Sequence, residues 1–258
     1  MKILLTNDDG INSPGINLLA DGLRKAGHRA VVVAPASNQS GVSHAISFLH
    51  GPCKLAKISE DTWSCGGTPV DCVVVALMGG LPELFLEPES LPDLIISGIN
   101  RGANLGTDIV YSGTAAAARQ GSLYSVPSAA LSLIEGDEWN WDMAAGFAVE
   151  YLDRIMAYWK PDSFINVNIP NRKEKPLALV HAFPSFRYYN DRIDIYHAQN
   201  GHRYCFTKVG AICVKPEQGS DWEAVMENNA SLSEIFNHPL LLESVKEREG
   251  NSGGKSTQ

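Results

Sequence analysis

The hydrophobic positions of this 258-residue chain fall into short continuous runs that end in polar or glycine residues. Such runs predict strands of a parallel sheet that is buried on both faces. The runs within the first 170 residues are "KILLTN" (2–7), "RAVVVAPA" (29–36), "DLIISGIN" (93–100), "PSAALSLI" (127–134) and "SFINVNIP" (163–170).

Helical segments are predicted between these runs. Residues 14–28 place their leucines on one helical face, with a proline near the start. Residues 67–80 begin with Thr68 and a proline, and Asp71 completes a capping-box pattern. Two further helices are predicted at 113–124 and 141–159. Strands that alternate with helices predict an α/β fold with an open, doubly wound sheet.

After Pro170 the pattern changes to alternating runs separated by polar turns, which predicts antiparallel hairpins. These runs cover residues 177–183, 192–199 and 203–214. A hairpin arm often embraces a neighbouring subunit, so the pattern favours an oligomer. We therefore divide the chain into a core (1–170), a hairpin extension with a C-terminal segment (171–245) and a charged, Gly/Ser-rich tail expected to be disordered (246–258).

Composition limits the possible functions. The chain is 44% hydrophobic but has no run of 18 apolar residues, and Met1 leads directly into a strand pattern, so we expect a cytoplasmic protein without a membrane span. The net charge of −8 argues against a stable complex with a nucleic-acid backbone. Five cysteines without a CxxC pair indicate neither a zinc site nor a disulfide framework.

Two adjacent carboxylates, Asp8 and Asp9, follow the first predicted strand in "LLTNDDGINSPG" (4–15). Ligands of open α/β sheets bind beyond the carboxyl ends of the strands, and no Lys or Arg in this stretch balances the two charges. A divalent cation is the simplest counter-charge, and oxygen ligands favour Mg²⁺ or Mn²⁺ over zinc. The alternative is that one carboxylate only caps the helix that begins near Pro14.

Two other polar loops leave the same predicted edge of the sheet. One loop (34–44) contains Ser40, and the other (97–108) contains Asn100 and Asn104. Their neutral oxygens suit a hard-cation shell that two carboxylates begin. Taken singly, each is more often an ordinary turn residue, so the prediction depends on the loops converging.

The stretch "YSGTAAAARQG" (111–121) is a candidate phosphate site, because Ser112, Gly113 and Thr114 stand at the start of a predicted helix. Unpaired backbone N–H groups and the positive end of the helix dipole favour an anion there. The alternative is plain N-capping by Ser112 or Thr114.

Signatures of several competing enzyme classes are missing. The chain has no GxxxxGK[ST], no GxGxxG after the first strand and no GxSxG. Haloacid-dehalogenase-like phosphatases also carry an Asp after a first strand, but they need D-x-D where this chain has N-D-D-G. His44 either faces the site or is a surface loop histidine.

Four blocks taken together resemble the SurE family of metal-dependent nucleotidases. They are "ILLTNDDG", "PASNQSG", "GTPVDCV" and "SGINRGANLGTDIVYSGTAAAARQG", in family order. The resemblance implies a Rossmann-like fold with a hairpin and C-terminal segment that form dimers or tetramers. It also implies hydrolysis of nucleoside 5′- and 3′-monophosphates to nucleoside and phosphate.

The resemblance further implies specific site residues. One divalent metal ion, Mg²⁺ or Mn²⁺, is expected on Asp8, Asp9, Ser40 and Asn100, and the phosphate on Asn104, Ser112, Gly113 and Thr114. Asp8 is the expected catalytic residue, acting as a base or as a nucleophile. Residues 219–240 keep the Asp and Ala of a "D-x-x-A" helix, but they lack the aromatic and the Thr-Pro of the "GYVSITPL"-like stretch that follows this helix in most family members. The alternative function is a non-catalytic sensor of metal and nucleotide.

Overall fold

The computed structural model describes residues 1–79, 91–215 and 217–239. Its strands are β1 (Lys2–Thr6), β2 (Arg29–Pro35), β3 (Leu55–Ser59), β4 (Thr62–Cys65), β5 (Leu94–Arg101), β6 (Ser128–Leu133), β7 (Ser163–Ile169), β8 (Leu179–His181), β9 (Arg187–Tyr189), β10 (Arg192–His197), β11 (Arg203–Lys208), β12 (Ile212–Val214) and β13 (Ala230–Phe236). Its helices are α1 (Pro14–Lys25), α2 (Pro69–Met78), α3 (Gly113–Leu123), α4 (Trp141–Glu150), α5 (Leu152–Met156) and α6 (Asp221–Met226), with a 3₁₀ helix at Gly106–Val110.

A nine-stranded sheet organises these residues, in the order β3-β4-β2-β1-β5-β6-β7-β13-β8. The central strands β2, β1, β5, β6 and β7 all run parallel to one another. The mostly parallel α/β fold predicted from the sequence is therefore confirmed.

The sheet is covered on both faces, as its apolar runs predicted. On one face Ile3 and Leu5 of β1 pack with Ile16 of α1 and Phe147 of α4. On the other face Leu4 packs with residues of α2 and α3. Alternate side chains of one strand thus enter two separate hydrophobic cores, which is the packing of a doubly wound sheet.

The strand order reverses beside β1, because β2 lies on one side of it and β5 on the other. In open α/β sheets, ligands bind at such a switch point, in the crevice beyond the carboxyl ends of the strands. At this edge of the sheet, Asp8 follows β1 and Asn100 lies near the end of β5.

The segment after residue 170 is more mixed than the sequence pattern predicted. β10 and β11 form the expected antiparallel hairpin. β8 instead joins the main sheet parallel to β13, and β13 pairs antiparallel with β7. The division of the chain at residue 170 stays a prediction, and the predicted disordered tail lies outside the described residues.

Several elements differ from their predicted boundaries. The predicted strand over 203–214 is two strands, because β11 pairs with β10 whereas β12 pairs with β9. The predicted helix over 141–159 is divided at Tyr151 into α4 and α5. The antiparallel pair β3 and β4 was not predicted, since its half-buried and exposed positions mix polar and apolar residues.

The hairpin of β10 and β11 is exposed at every position, including Ile193, Tyr204 and Phe206. An isolated two-stranded hairpin is marginally stable in water. Across the described residues, the helices are too short or too polar to cross a membrane.

Candidate active site

A tight turn after β1 positions the two adjacent carboxylates. Asn7 holds the turn through both ends of its side chain: its Nδ2 donates to the carbonyl of Gly10 (2.9 Å), and its Oδ1 accepts from the N–H of Gly10 (3.1 Å). Gly10 adopts φ +98°, a conformation that favours glycine. Asp8 and Asp9 line two different but adjacent cavities.

Asp8 is buried against the start of α3. Its Oδ1 accepts a hydrogen bond from the Thr114 hydroxyl (2.6 Å), and its Oδ2 accepts one from the Thr114 N–H (3.3 Å). Gly113 permits this approach, because a Cβ at that position would lie 2.9 Å from the Cβ of Asp8. The helix N-terminus predicted to bind phosphate therefore already holds a carboxylate of the protein.

Burial raises the pKa of Asp8 to about 6. The hydroxyl of Thr114 opposes this shift, and the negative charge of Asp9 adds to it. Burial also raises the pKa of Asp9, whereas the N–H and the charge of Arg101 lower it. A divalent cation would stabilise both carboxylates in their charged form.

We call the cavity beside Asp8 the first cavity. It has a volume of about 280 Å³. Of the residues predicted for the site, it brings together Asp8, Ser40, Asn100, Asn104 and Ser112. The convergence of the loops after β1, β2 and β5 is thus observed, as a ligand site at the switch point requires.

The other predicted residues do not line the first cavity. Gly113 packs against the side chain of Asp8, and Thr114 donates a hydrogen bond to it. Asp9 lines a second cavity, of about 230 Å³, and its Oδ2 accepts a hydrogen bond from the N–H of Arg101 (2.9 Å). Arg101 lines both cavities, so it marks the boundary between them.

The capping alternatives can be compared with the structure. Ser112 is the N-cap of α3, and its hydroxyl accepts from the N–H of Ala115 (3.0 Å). It caps the helix and lines the cavity at the same time. Neither carboxylate caps α1, whose N-cap is Ser13.

Asn104 is fixed firmly in the fold. Its Nδ2 donates to the Ser132 hydroxyl (2.8 Å), and its backbone carbonyl accepts from the side chains of Asn166 (2.8 Å) and Asn168 (3.1 Å). These buried bonds hold the loop after β5 against the ends of β6 and β7.

The donor atoms of the first cavity suit a hard cation. The Asn100 Nδ2 donates to the carbonyl of Gly102 (2.9 Å), which leaves its amide oxygen for a ligand. In the part of the chain that the structure describes, no three His, Cys, Asp or Glu side chains are grouped to hold a metal. A cation here would therefore need the neutral oxygens of Ser40 and Asn100 beside carboxylates, a set that fits Mg²⁺ or Mn²⁺.

Sequence reasoning missed part of the wall of the first cavity. Tyr189 of β9 and Ile212 of β12 also line it. The Tyr189 hydroxyl donates to Asp108, and the Arg187 guanidinium forms an ion pair with the same carboxylate. Tyr189 lies 81 residues from Asp108 along the chain, so no local motif could indicate this contact.

His44 lies apart from the residues that line the first cavity. Its Nε2 is 2.8 Å from Oε1 of Gln120, in a half-buried position. Burial lowers its pKa, so it is neutral at pH 7. The alternative of a loop histidine outside the site fits this position better.

The family model described as survival protein SurE matches residues 3–189 of the chain. The chain is 38% identical over 242 residues to the 5′-nucleotidase SurE of Geotalea daltonii, covering 91% of this chain and 92% of that protein. It is 42% identical over 174 residues to the 5′-nucleotidase SurE of Xanthomonas axonopodis pv. citri, covering 66% of this chain and 64% of that protein. The crystal structure of the SurE protein from Aquifex aeolicus matches with a TM-score of 0.79 and 34% identity, over 96% of this chain and 100% of that one.

Proposed function

Because the chain belongs to the survival protein SurE family, we propose that it hydrolyses nucleoside 5′- and 3′-monophosphates to nucleoside and inorganic phosphate. The observation that carries the proposal is the first cavity, in which Asp8, Ser40, Asn100 and Ser112 meet at the switch point of the sheet. Relatives of similar length bear the name 5′-nucleotidase.

Family membership implies a divalent metal requirement. We propose a single Mg²⁺ or Mn²⁺ ion held by Asp8, Ser40 and Asn100 of the first cavity together with Asp9 of the adjacent one, since their oxygens are the donors that such ions prefer. When bound, the ion polarises a phosphoryl oxygen and lowers the pKa of a coordinated water.

The chain's own residues bind the phosphate and move a proton. Asp8 is positioned by Thr114 to accept a proton from the attacking water, and nucleophilic attack by Asp8 is the alternative. Ser112 and Asn104, which line the first cavity, bind the transferred phosphoryl group, while Gly113 and Thr114 hold Asp8 beside it. Labelled oxygen from water appearing in the Asp8 carboxylate during a single turnover would establish the nucleophilic role.

Phosphate release from AMP and GMP in the presence of Mn²⁺ tests this function. Asp8→Asn should reduce kcat by about 10²–10⁴-fold, because that is the usual contribution of a positioned acid–base group. Thermal unfolding checks that the variant is folded. If wild-type protein binds AMP but releases no phosphate with Mg²⁺, Mn²⁺ or Co²⁺, the protein is a sensor and the proposal fails.

The remaining proposals concern assembly and location. The hairpin of β10 and β11 exposes Ile193, Tyr204 and Phe206, which supports a homodimer or homotetramer in which a second copy covers them. The segment 171–245, which contains this hairpin, is proposed to mediate that assembly. A cytoplasmic location stays a prediction.

A further inference from the structure

The second cavity lies directly beside the first and has a different character. Its lining includes two tryptophans together with a cation, a carboxylate and small polar groups. These residues are Asp9, Ser13, Asn38, Arg101, Trp139 and Trp141.

An aromatic stack forms one side of this cavity. The rings of Trp139 and Trp141 are stacked, with their centres 5.2 Å apart and their planes 13° apart. The Arg101 guanidinium lies over Trp139, 5.0 Å from the ring centre. Both tryptophans are half-buried and pack against the core, which fixes the stack while leaving part of it open to the cavity.

The close packing of Trp141 makes this wall rigid. A Cβ on Gly15 of α1 would lie 2.9 Å from the Trp141 ring, so the helix backbone and the ring are in direct contact. A stacking surface whose rotamer is already fixed loses little entropy when a planar ligand binds.

The two cavities are adjacent, as sites for the phosphate and the nucleoside of one nucleotide must be. Asp8 lines the first cavity and its neighbour Asp9 the second, while Arg101 lines both. A ligand whose phosphate lies at Asp8 can therefore extend past Arg101 towards the tryptophans. Aromatic and guanidinium planes are the surfaces on which bases stack, and Asn38 and Ser13 offer hydrogen bonds to a ring edge.

We propose that the second cavity binds the nucleobase of the nucleotide, which stacks against the assembly of Arg101, Trp139 and Trp141. This inference rests on the proposed nucleotidase function and names a specificity-determining site for it. Trp139 and Trp141 touch the base and not the reacting phosphorus, so they determine KM more than kcat. Stacking is tolerant of base identity, so purine monophosphates are favoured over pyrimidine ones by ring area alone.

The test compares ligands that contain only one half of the nucleotide. In Trp139→Leu, the KM of AMP and the Ki of adenosine should rise about tenfold, because Trp139 contacts both Arg101 and Trp141 and its loss disrupts the surface on which the base stacks, while kcat stays within about twofold. The Ki of inorganic phosphate, which has no base, should not change. Trp139→Phe should restore most of the affinity for AMP and adenosine.

Trp63→Leu is the matched control, because Trp63 also carries a cation over its ring, Lys57 at 5.3 Å, but lines neither cavity. It should change no kinetic constant. Ser13→Leu is a second variant if Trp139→Leu does not fold. The Ser13 side chain makes no capping hydrogen bond, so a larger residue obstructs the cavity with little loss of helix stability.

The outcomes separate the two proposals. If adenosine and phosphate weaken together in Trp139→Leu, or if neither changes in Trp139→Leu and Ser13→Leu, the second cavity does not bind the base. If wild-type protein releases no phosphate from AMP, the nucleotidase proposal fails. Calorimetric titration with adenosine alone then still tests the base site, through loss of binding in Trp139→Leu.

Discussion

The two sides of the first cavity are supported in different ways. Asp8 follows β1 and Asn100 lies near the end of β5, two parallel strands that are buried on both faces, and the two residues are 4% and 8% exposed. Tyr189 and Ile212 belong to a separate two-stranded sheet, next to a hairpin that is exposed throughout. The comparison teaches that hydrophobic packing within one protomer fixes the polar residues at the strand ends. The hairpin of β10 and β11 lacks such packing and needs a partner to be equally stable.

The largest expected effect is in the core. Phe147→Ala should lower the free energy of unfolding by about 3–5 kcal/mol, because Phe147 is fully buried and its removal leaves a cavity. Urea denaturation of the purified protein measures this change. A loss below about 1 kcal/mol would show that the face covered by α1 and α4 is not a rigid support.

Thr114→Val tests how the core side of the cavity positions Asp8. The Thr114 hydroxyl donates to buried Asp8, so its loss should lower the free energy of unfolding by about 1–3 kcal/mol. The pKa of Asp8 should rise further, since this hydroxyl lowers it. Phosphate release should fall about tenfold through misplacement of the carboxylate.

Ser128→Ala is the control for Thr114→Val, because its buried hydroxyl donates to the carbonyl of Val126 (2.8 Å) outside the first cavity. It should reduce stability without changing kcat. Equal loss of activity in both variants would mean that general destabilisation explains the effect.

Asp71→Asn tests the loop that carries Ser40. Burial alone would raise the pKa of Asp71, but hydrogen bonds from Ser47 and Thr68 lower it below the usual 3.8. A lowered folded pKa gives stability that is present at neutral pH and is lost as pH falls through the folded value. The substitution should therefore cost about 0.5–2 kcal/mol at pH 7 through the capping box, and less at a pH acidic enough to protonate the Asp71 carboxylate. Unfolding at both pH values measures it, and an equal loss at both would contradict the assignment.

The smallest effect on protomer stability is expected in the arm. Phe206→Ser should change the free energy of unfolding of the protomer by less than about 0.5 kcal/mol, because Phe206 is exposed. It should nevertheless weaken assembly. Sedimentation over a range of concentrations would show this, and an unchanged dissociation constant would exclude the hairpin as the interface.

The sequence predicted the parallel strands and most of the first cavity, because both depend on local patterns. Continuous apolar runs located β1, β2, β5, β6 and β7, and the polar residues at their ends located the site. β13 was missed because its buried stretch "ASLS" alternates with serines, whose burial depends on pairing with β7. Propensity contains no information about such a partner.

The direction of Asp9 and the contribution of Tyr189 could not be predicted. The first depends on the turn that Asn7 closes, which separates two side chains that are adjacent in sequence. The second depends on the pairing of β9 with β12, which brings distant residues over the strand ends. Both are properties of the folded backbone and have no counterpart in residue type or spacing.

The strands β9 and β12 join the first cavity to the hairpin of β10 and β11, since the chain between β9 and β12 forms that hairpin. A second subunit that binds the hairpin therefore also affects the position of Tyr189 and Ile212 in the wall of the first cavity. Because dilution separates the subunits, turnover per active site should decrease as the protein concentration falls. A specific activity that falls on dilution and recovers on reconcentration is the behaviour that this shared stretch of chain predicts.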